Sequence, residues 1–233
     1  MMKKTFLTLV VVGGLSAGPA MAKDFAVEIT NLTNAIYFTP LLVSAHPGTT
    51  HVFAEGLSAS ANLQAMAEGG DISGLSIDLS AVGANVVENP AMGLLAPGAS
   101  ATASFTYDSS NPDLSVVGML LPTNDGFVGL NSLEIPKKPG AYVYYLNGYD
   151  AGTEANNEVI NGGGAPGTLG IPADPGGHNG TGGTGFAAAD ANSTVHIHRG
   201  VLGDTDNTGG ASDLDSRVHR WLNPVAKLVI TVN

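Results

Sequence analysis

The chain has 233 residues, 43% of them hydrophobic, with 20 acidic against 9 basic residues and no cysteine. That length suits a single domain with a sizeable core, and the missing cysteines exclude a disulfide scaffold. A formal charge of −11 excludes phosphate neutralisation by clustered Lys and Arg, so nucleic acid is no expected partner and divalent cations are better candidates.

Lys3 and Lys4, the apolar run Phe6 to Leu15 and the small residues of Ala20-Met21-Ala22 have the order of a secretory signal peptide. Cleavage after Ala22 removes two of the nine basic residues, leaving seven against twenty acidic ones and a formal charge of −13. No later stretch approaches the roughly 20 apolar residues of a membrane span. With no lipid-attachment cysteine, the expected location is secreted or periplasmic, with residues 1–22 as leader and 23–233 as one domain.

Phe25, Val27 and Ile29 alternate with polar residues, which predicts a half-buried strand, and Ile36 to Ser44 predicts a second with Pro40 at an edge or bulge. Ser58 is placed to cap a short helix through Glu68, stopped by Gly69-Gly70; it is the one helix expected. Leu75 to Leu79 reads as a further short strand. Ala101, Ala103, Phe105 and Tyr107 alternate again, while Leu114 to Leu121 is apolar on both faces and predicts a central strand. Tyr142 to Leu146, the region of Val195 and Ile197, and Leu228 to Val232 supply the remaining strands. Seven or eight strands separated by turn residues favour an antiparallel β-sandwich over a barrel. From 161 to 185, 11 of 25 residues are glycine, a composition expected to give a long flexible loop inserted in the domain.

Two acidic stretches follow apolar strands: Pro122-Thr123-Asn124-Asp125-Gly126-Phe127 and Tyr149-Asp150-Ala151-Gly152-Thr153-Glu154. Asp150 and Glu154, four apart around Gly152, can turn inward in a tight loop, and Asp125 can close the site from the neighbouring loop. Three hard oxygen donors suit calcium; the same residues would also serve as solvated turns. Asp204-Thr205-Asp206-Asn207-Thr208-Gly209 with Asp215 matches a calcium loop only in part, because Asp replaces the bidentate Glu and no helix pair flanks it. A solvated loop is the better reading, with a weak second ion as the alternative. His196 and His198 lie on one strand face and are able to share a transition metal, but no third ligand is evident. The preferred reading is a polar face backed by Val195 and Ile197 in the core. Trp221, the only tryptophan, is expected to pack on the sandwich rather than anchor a partner.

The two acidic stretches, with Ile36-Tyr37-Phe38-Thr39-Pro40-Leu41-Leu42 before them and Trp221-Leu222-Asn223-Pro224-Val225-Ala226 after, resemble the spondin domain, the module also found near the front of F-spondin and mindin. The resemblance implies a β-sandwich like those of calcium-dependent membrane-targeting domains, with one calcium ion held at its end by Asp125, Asp150 and Glu154. This chain departs from the animal members in carrying Glu154 where they have Asp and in lacking their cysteines, so their adhesive partners do not transfer.

No Gly-x-Ser-x-Gly elbow, cysteine nucleophile, phosphate loop or dinucleotide fingerprint is present. The expected function is therefore an exported, calcium-ordered binding or adhesion module rather than an enzyme. Its partner would be an extracellular protein, matrix component or cell-surface ligand. The alternative is an extracellular glycan hydrolase using Asp125 with Asp150 or Glu154 as acid and base.

Overall fold

A computed structural model describes residues 24–177, 180–186 and 193–233. The leader expected at 1–22 lies outside the described residues.

Strand β1 (Asp24–Asn31) buries Phe25, Val27, Ile29 and Asn31 on one face, as its alternation predicts. Short strands β2 (Tyr37–Phe38) and β3 (Leu42–His46) follow, then helices α1 (Ala61–Gly69) and α2 (Ser73–Ala81). The remaining strands are β4 (Asn85–Glu88), β5 (Ser100–Thr106), β6 (Asp113–Leu121), β7 (Gly126–Glu134), β8 (Gly140–Asp150), β9 (His196–Ile197) and β10 (Ala226–Val232). Hydrogen bonding runs in the order β4-β3-β6-β7-β8-β10-β1-β5, with β2 on β6 and β9 on β8, and every strand pairing is antiparallel.

The eleven residues of β8 join the two halves of this all-β sandwich. Gly140 to Leu146 pair with β10, whereas Asn147 to Asp150 pair with Gly126 to Gly129 of β7. One strand thus leaves the β5-β1-β10 sheet and enters the β4-β3-β6-β7 sheet, as strands do at the corner of packed sheets.

β6 explains why the core is double. Leu114, Val116 and Leu120 face the other sheet, joining Val27, Ile29, Leu228 and Ile230, while Val117, Met119 and Leu121 face outward under the helices. A strand covered on both faces needs an apolar run without alternation, the pattern of Leu114 to Leu121. The outer cluster takes Leu63, Met66 and Ala67 from α1, Leu75 and Leu79 from α2, and the packed rings of Phe53, Phe127 and Tyr149.

The structure corrects two local readings. Ser60, rather than Ser58, caps α1, its Oγ accepting from the Leu63 amide at 3.1 Å, and Gly70 ends the helix in the left-handed region at φ 74°. Leu75 to Leu79 is helical, so there are two short helices among the described residues. A strand would put Leu75, Ile77 and Leu79 on one face; here Leu75 and Leu79 are buried and Ile77 is 69% exposed, the spacing of a helix face. The glycine-rich segment has no helix or strand among its described residues, but it buries Ile171 and Asp174. Carboxylates from the domain also take up its amides. Glu68 accepts from Gly167 at 2.6 Å, and Asp213 from Thr181, Gly182 and Gly183 at 2.8 to 3.0 Å.

Candidate metal centre

β6 ends in a buried turn that delivers Asp125 to one end of the sandwich. Thr123 donates its hydroxyl to the Leu120 carbonyl at 2.6 Å and accepts from the Gly126 amide at 3.0 Å, closing the turn before β7 begins. Gly126 sits so close to Thr123 and His198 that a β-carbon there would come within 2.7 Å of the threonine Oγ1. Across the sheet, Gly126 is the register partner of Asp150, the last residue of β8. The two acidic loops therefore leave neighbouring strands side by side, and the Ala151 amide donates to the Asp125 carbonyl at 3.1 Å.

Asp125 has no exposed surface. Its Oδ2 accepts from the Thr153 amide at 2.7 Å, the Glu154 amide at 3.1 Å and the Thr153 hydroxyl at 3.2 Å, while its Oδ1 has no hydrogen-bond partner. Burial first, and then the nearby charge of Asp150, push the Asp125 carboxyl up to about 7, against the pull of the Thr153 and Glu154 hydrogen bonds. Asp150, also buried, accepts from the Gly152 amide at 2.8 Å and the Asn156 side-chain amide at 2.8 Å.

Glu154 is placed differently. Its amide serves Asp125, but its carboxylate turns to the Asn124 side chain and the Gly170 amide, both 3.1 Å from Oε2. Oε1 is buried without a partner, and burial raises this carboxyl to about 7 as well. Among the described residues, no three His, Asp or Glu side chains converge closely enough to enclose an ion. The structure brings Asp125 and Asp150 together and leaves the Glu154 carboxylate to one side. The donor chemistry nevertheless fits a hard cation. Two buried carboxylate oxygens, Asp125 Oδ1 and Glu154 Oε1, lack any donor, and the charge of Asp150 bears on Asp125 beside it, a load an oxygen-ligated ion would relieve.

Asn124 was not singled out from the sequence, yet it ties the loops together. Its Nδ2 donates to Glu154 and to Asn157 Oδ1, and its Oδ1 accepts from the Glu158 amide. Its place beside Asp125 was the available signal.

The histidines separate. His198 is buried against Trp221, ring centroids 5.0 Å apart, and its Nδ1 accepts from the Gly200 amide. His196 instead stands by Asp150, with Nε2 3.8 Å from Oδ2. Val195 is buried as expected, but Ile197 is 47% exposed: the two-residue β9 is an edge whose outer face nothing covers among the described residues. Trp221 packs in the inner core. In the 204–215 loop, Asp204 accepts from the Asp206, Ala211 and Ser212 amides, which lower its pKa, and Asp215 pairs with Arg217 at 2.7 Å and falls to about 2. These carboxylates are spent on the loop itself, as a solvated turn requires.

The Spondin_N family profile matches residues 17–159, more than half of the chain and including both acidic loops. The chain belongs to the spondin N-terminal domain family. The spondin match ends at Val159, so the resemblance at Trp221 to Ala226 lies beyond it. No curated protein matches the chain.

Proposed function

We propose that this spondin domain is an exported calcium-binding module whose ion orders the Asp125 and Asp150 loops for binding an extracellular protein, matrix or cell-surface ligand. The family is a β-rich extracellular one, typically non-enzymatic, and no helix among the described residues is long and apolar enough to cross a membrane. The leader read from residues 1–22 supports export to the periplasm or beyond.

The observation that carries the reading is the buried Asp125 Oδ1, which has no donor and lies beside a second carboxylate. Calcium bound there supplies positive charge to the cluster. Asp125 and Asp150 hold it, and Glu154, whose backbone already hydrogen-bonds to Asp125, becomes a third oxygen ligand once its carboxylate swings in from Asn124 and Gly170. The chain's own hydrogen bonds then carry order outward, from Asp125 to the 153–154 backbone and from Asp150 to Gly152 and Asn156. Full burial of Asp125 also speaks against its serving as a glycosidase acid or base, which must reach the glycosidic bond.

Thermal unfolding in chelator and then in calcium tests the reading. A native-state ion at 100 times its dissociation constant adds about 2.7 kcal/mol. The midpoint rises in the parent and fails to rise in Asp125→Asn and Asp150→Asn. A parent midpoint indifferent to calcium would refute the proposal.

A further inference from the structure

β7 and β8 pair from Gly126 to Gly129 and then part: β8 turns to β10, while Leu130 to Glu134 of β7 keep β6 as their partner. Between the parting strands lies a cleft of about 200 Å3, smaller than the pockets of drug-sized ligands, which start at about 300 Å3. Its floor is open because Gly129 has no side chain; a β-carbon there would come within 2.7 Å of the Tyr149 ring and 2.8 Å of Phe53. A bulge in β7 sets Asn131 and Ser132 opposite Ser115 and turns Asn131 to the cleft. The Asn131 side chain is held there, with Oδ1 accepting from the Val52 amide at 2.9 Å and Nδ2 3.3 Å from His51 Nδ1. Along β8, Tyr145, Asn147 and Tyr149 follow one another on a single face, and all three line the cleft. Tyr149 is buried, its hydroxyl hydrogen-bonded to Glu55 and Asn147, whereas Tyr145 at the mouth is 63% exposed.

We propose that this cleft binds a neutral sugar residue of an extracellular glycan, with Tyr145 as the stacking platform and Asn131, Asn147 and Glu55 as partners for its hydroxyls. The inference goes beyond the calcium reading and does not rest on it. A pyranose ring has an apolar C–H face and a rim of hydroxyls that each donate and accept. The negative face of an exposed tyrosine ring attracts such C–H groups. A carboxamide offers a donor and an acceptor in one plane, and a carboxylate adds acceptors, so the three polar side chains match a hydroxyl rim. Neutrality follows from the charges: among the described residues no Lys or Arg lines the cleft, and Glu55 does, which repels uronates and phosphates. A space this small takes one ring, whereas strand addition along the parted edges needs several peptide residues at about 3.3 Å each.

Cellotetraose, chitotetraose and mannotetraose are titrated into the protein in chelator, with tetragalacturonate as the acidic control, and the side-chain amides of Asn131 and Asn147 are followed by NMR. At least one neutral tetrasaccharide is expected to shift both amides with a dissociation constant of about 1 mM or tighter, and the acid to shift neither. Tyr145→Ala should weaken that binding roughly tenfold without moving the melting midpoint, since the ring is mostly exposed. Tyr145→Phe, which keeps the ring, should bind as the parent does. If no neutral sugar shifts the amides at millimolar concentration, or only tetragalacturonate does, the inference falls. If binding survives in Tyr145→Ala, or depends on calcium and not on the ring, the glycan sits elsewhere and the inference falls while the calcium reading is untouched. If a pentapeptide of alternating threonine and valine shifts both amides and no sugar does, the cleft takes a peptide strand and the inference is overturned.

Discussion

The two oxygens of Asp125 have opposite surroundings. Oδ2 collects three donors from Thr153 and Glu154, and Oδ1 has none. A carboxylate so divided both fastens a loop and keeps an acceptor for something else. Gly152 makes that loop possible in two ways. It sits at φ 69°, where a side chain is strained, and a β-carbon there would lie 2.6 Å from the Thr194 backbone. The glycine thus lets the 150–154 turn lie against the strand that brings His196 to Asp150. Gly152→Ala is expected to lower stability by about 1–3 kcal/mol through the strained backbone alone. The close approach to Thr194 should also disturb the neighbouring 150–154 turn, so calcium affinity drops with it. Chemical denaturation with and without ion measures the two effects separately; unchanged stability would show that the turn relaxes freely.

At the scale of elements, α2 shows where sequence and structure part. Leu75, Ile77 and Leu79 fit period two as well as they fit an i, i+4 pair with one exposed residue, and only the cover over β6 decides between them. Leu79→Ala is expected to cost about 2–5 kcal/mol, whereas Ile77→Lys should change stability by less than about 0.5 kcal/mol. Equal costs at both positions, measured by urea unfolding, would argue for a shared face. The long runs were legible for a physical reason. β1 and β5 have one wet face and alternate, and β6 has none and does not. Asp125 and Asp150 were legible because each follows such a run. The role of Asn124 and the approach of His196 to Asp150 were not, since they depend on pairings across 30 and 46 positions that no local pattern encodes. The glycine-rich stretch hid its order similarly: its contacts are amides, available at any residue, meeting carboxylates of Glu68, Glu154 and Asp213 elsewhere in the chain.

Over the whole molecule, two buried carboxyls set how stability answers to pH. Asp125 and Glu154 are both raised to about 7, chiefly by burial. A carboxyl whose folded pKa exceeds its unfolded value of about 4 binds more protons in the native state. Its contribution is then fully present below about pH 4 and is lost as pH rises through 7, opposite to the usual salt-bridged carboxylate. Asp204 and Asp215 have lowered values and act the usual way, but they finish titrating at the acid end of that window, Asp215 near 2. In chelator, the unfolding midpoint should therefore fall between about pH 5 and 8. Calcium, which needs the deprotonated oxygens, should reverse that slope, stabilising more at pH 8 than at pH 5. In Asp125→Asn the fall in chelator should shrink and the ion should restore little. A parent whose midpoint in chelator rises across the window would mean that Asp125 and Glu154 ionise at ordinary values, and their burial would no longer argue for a cation beside them.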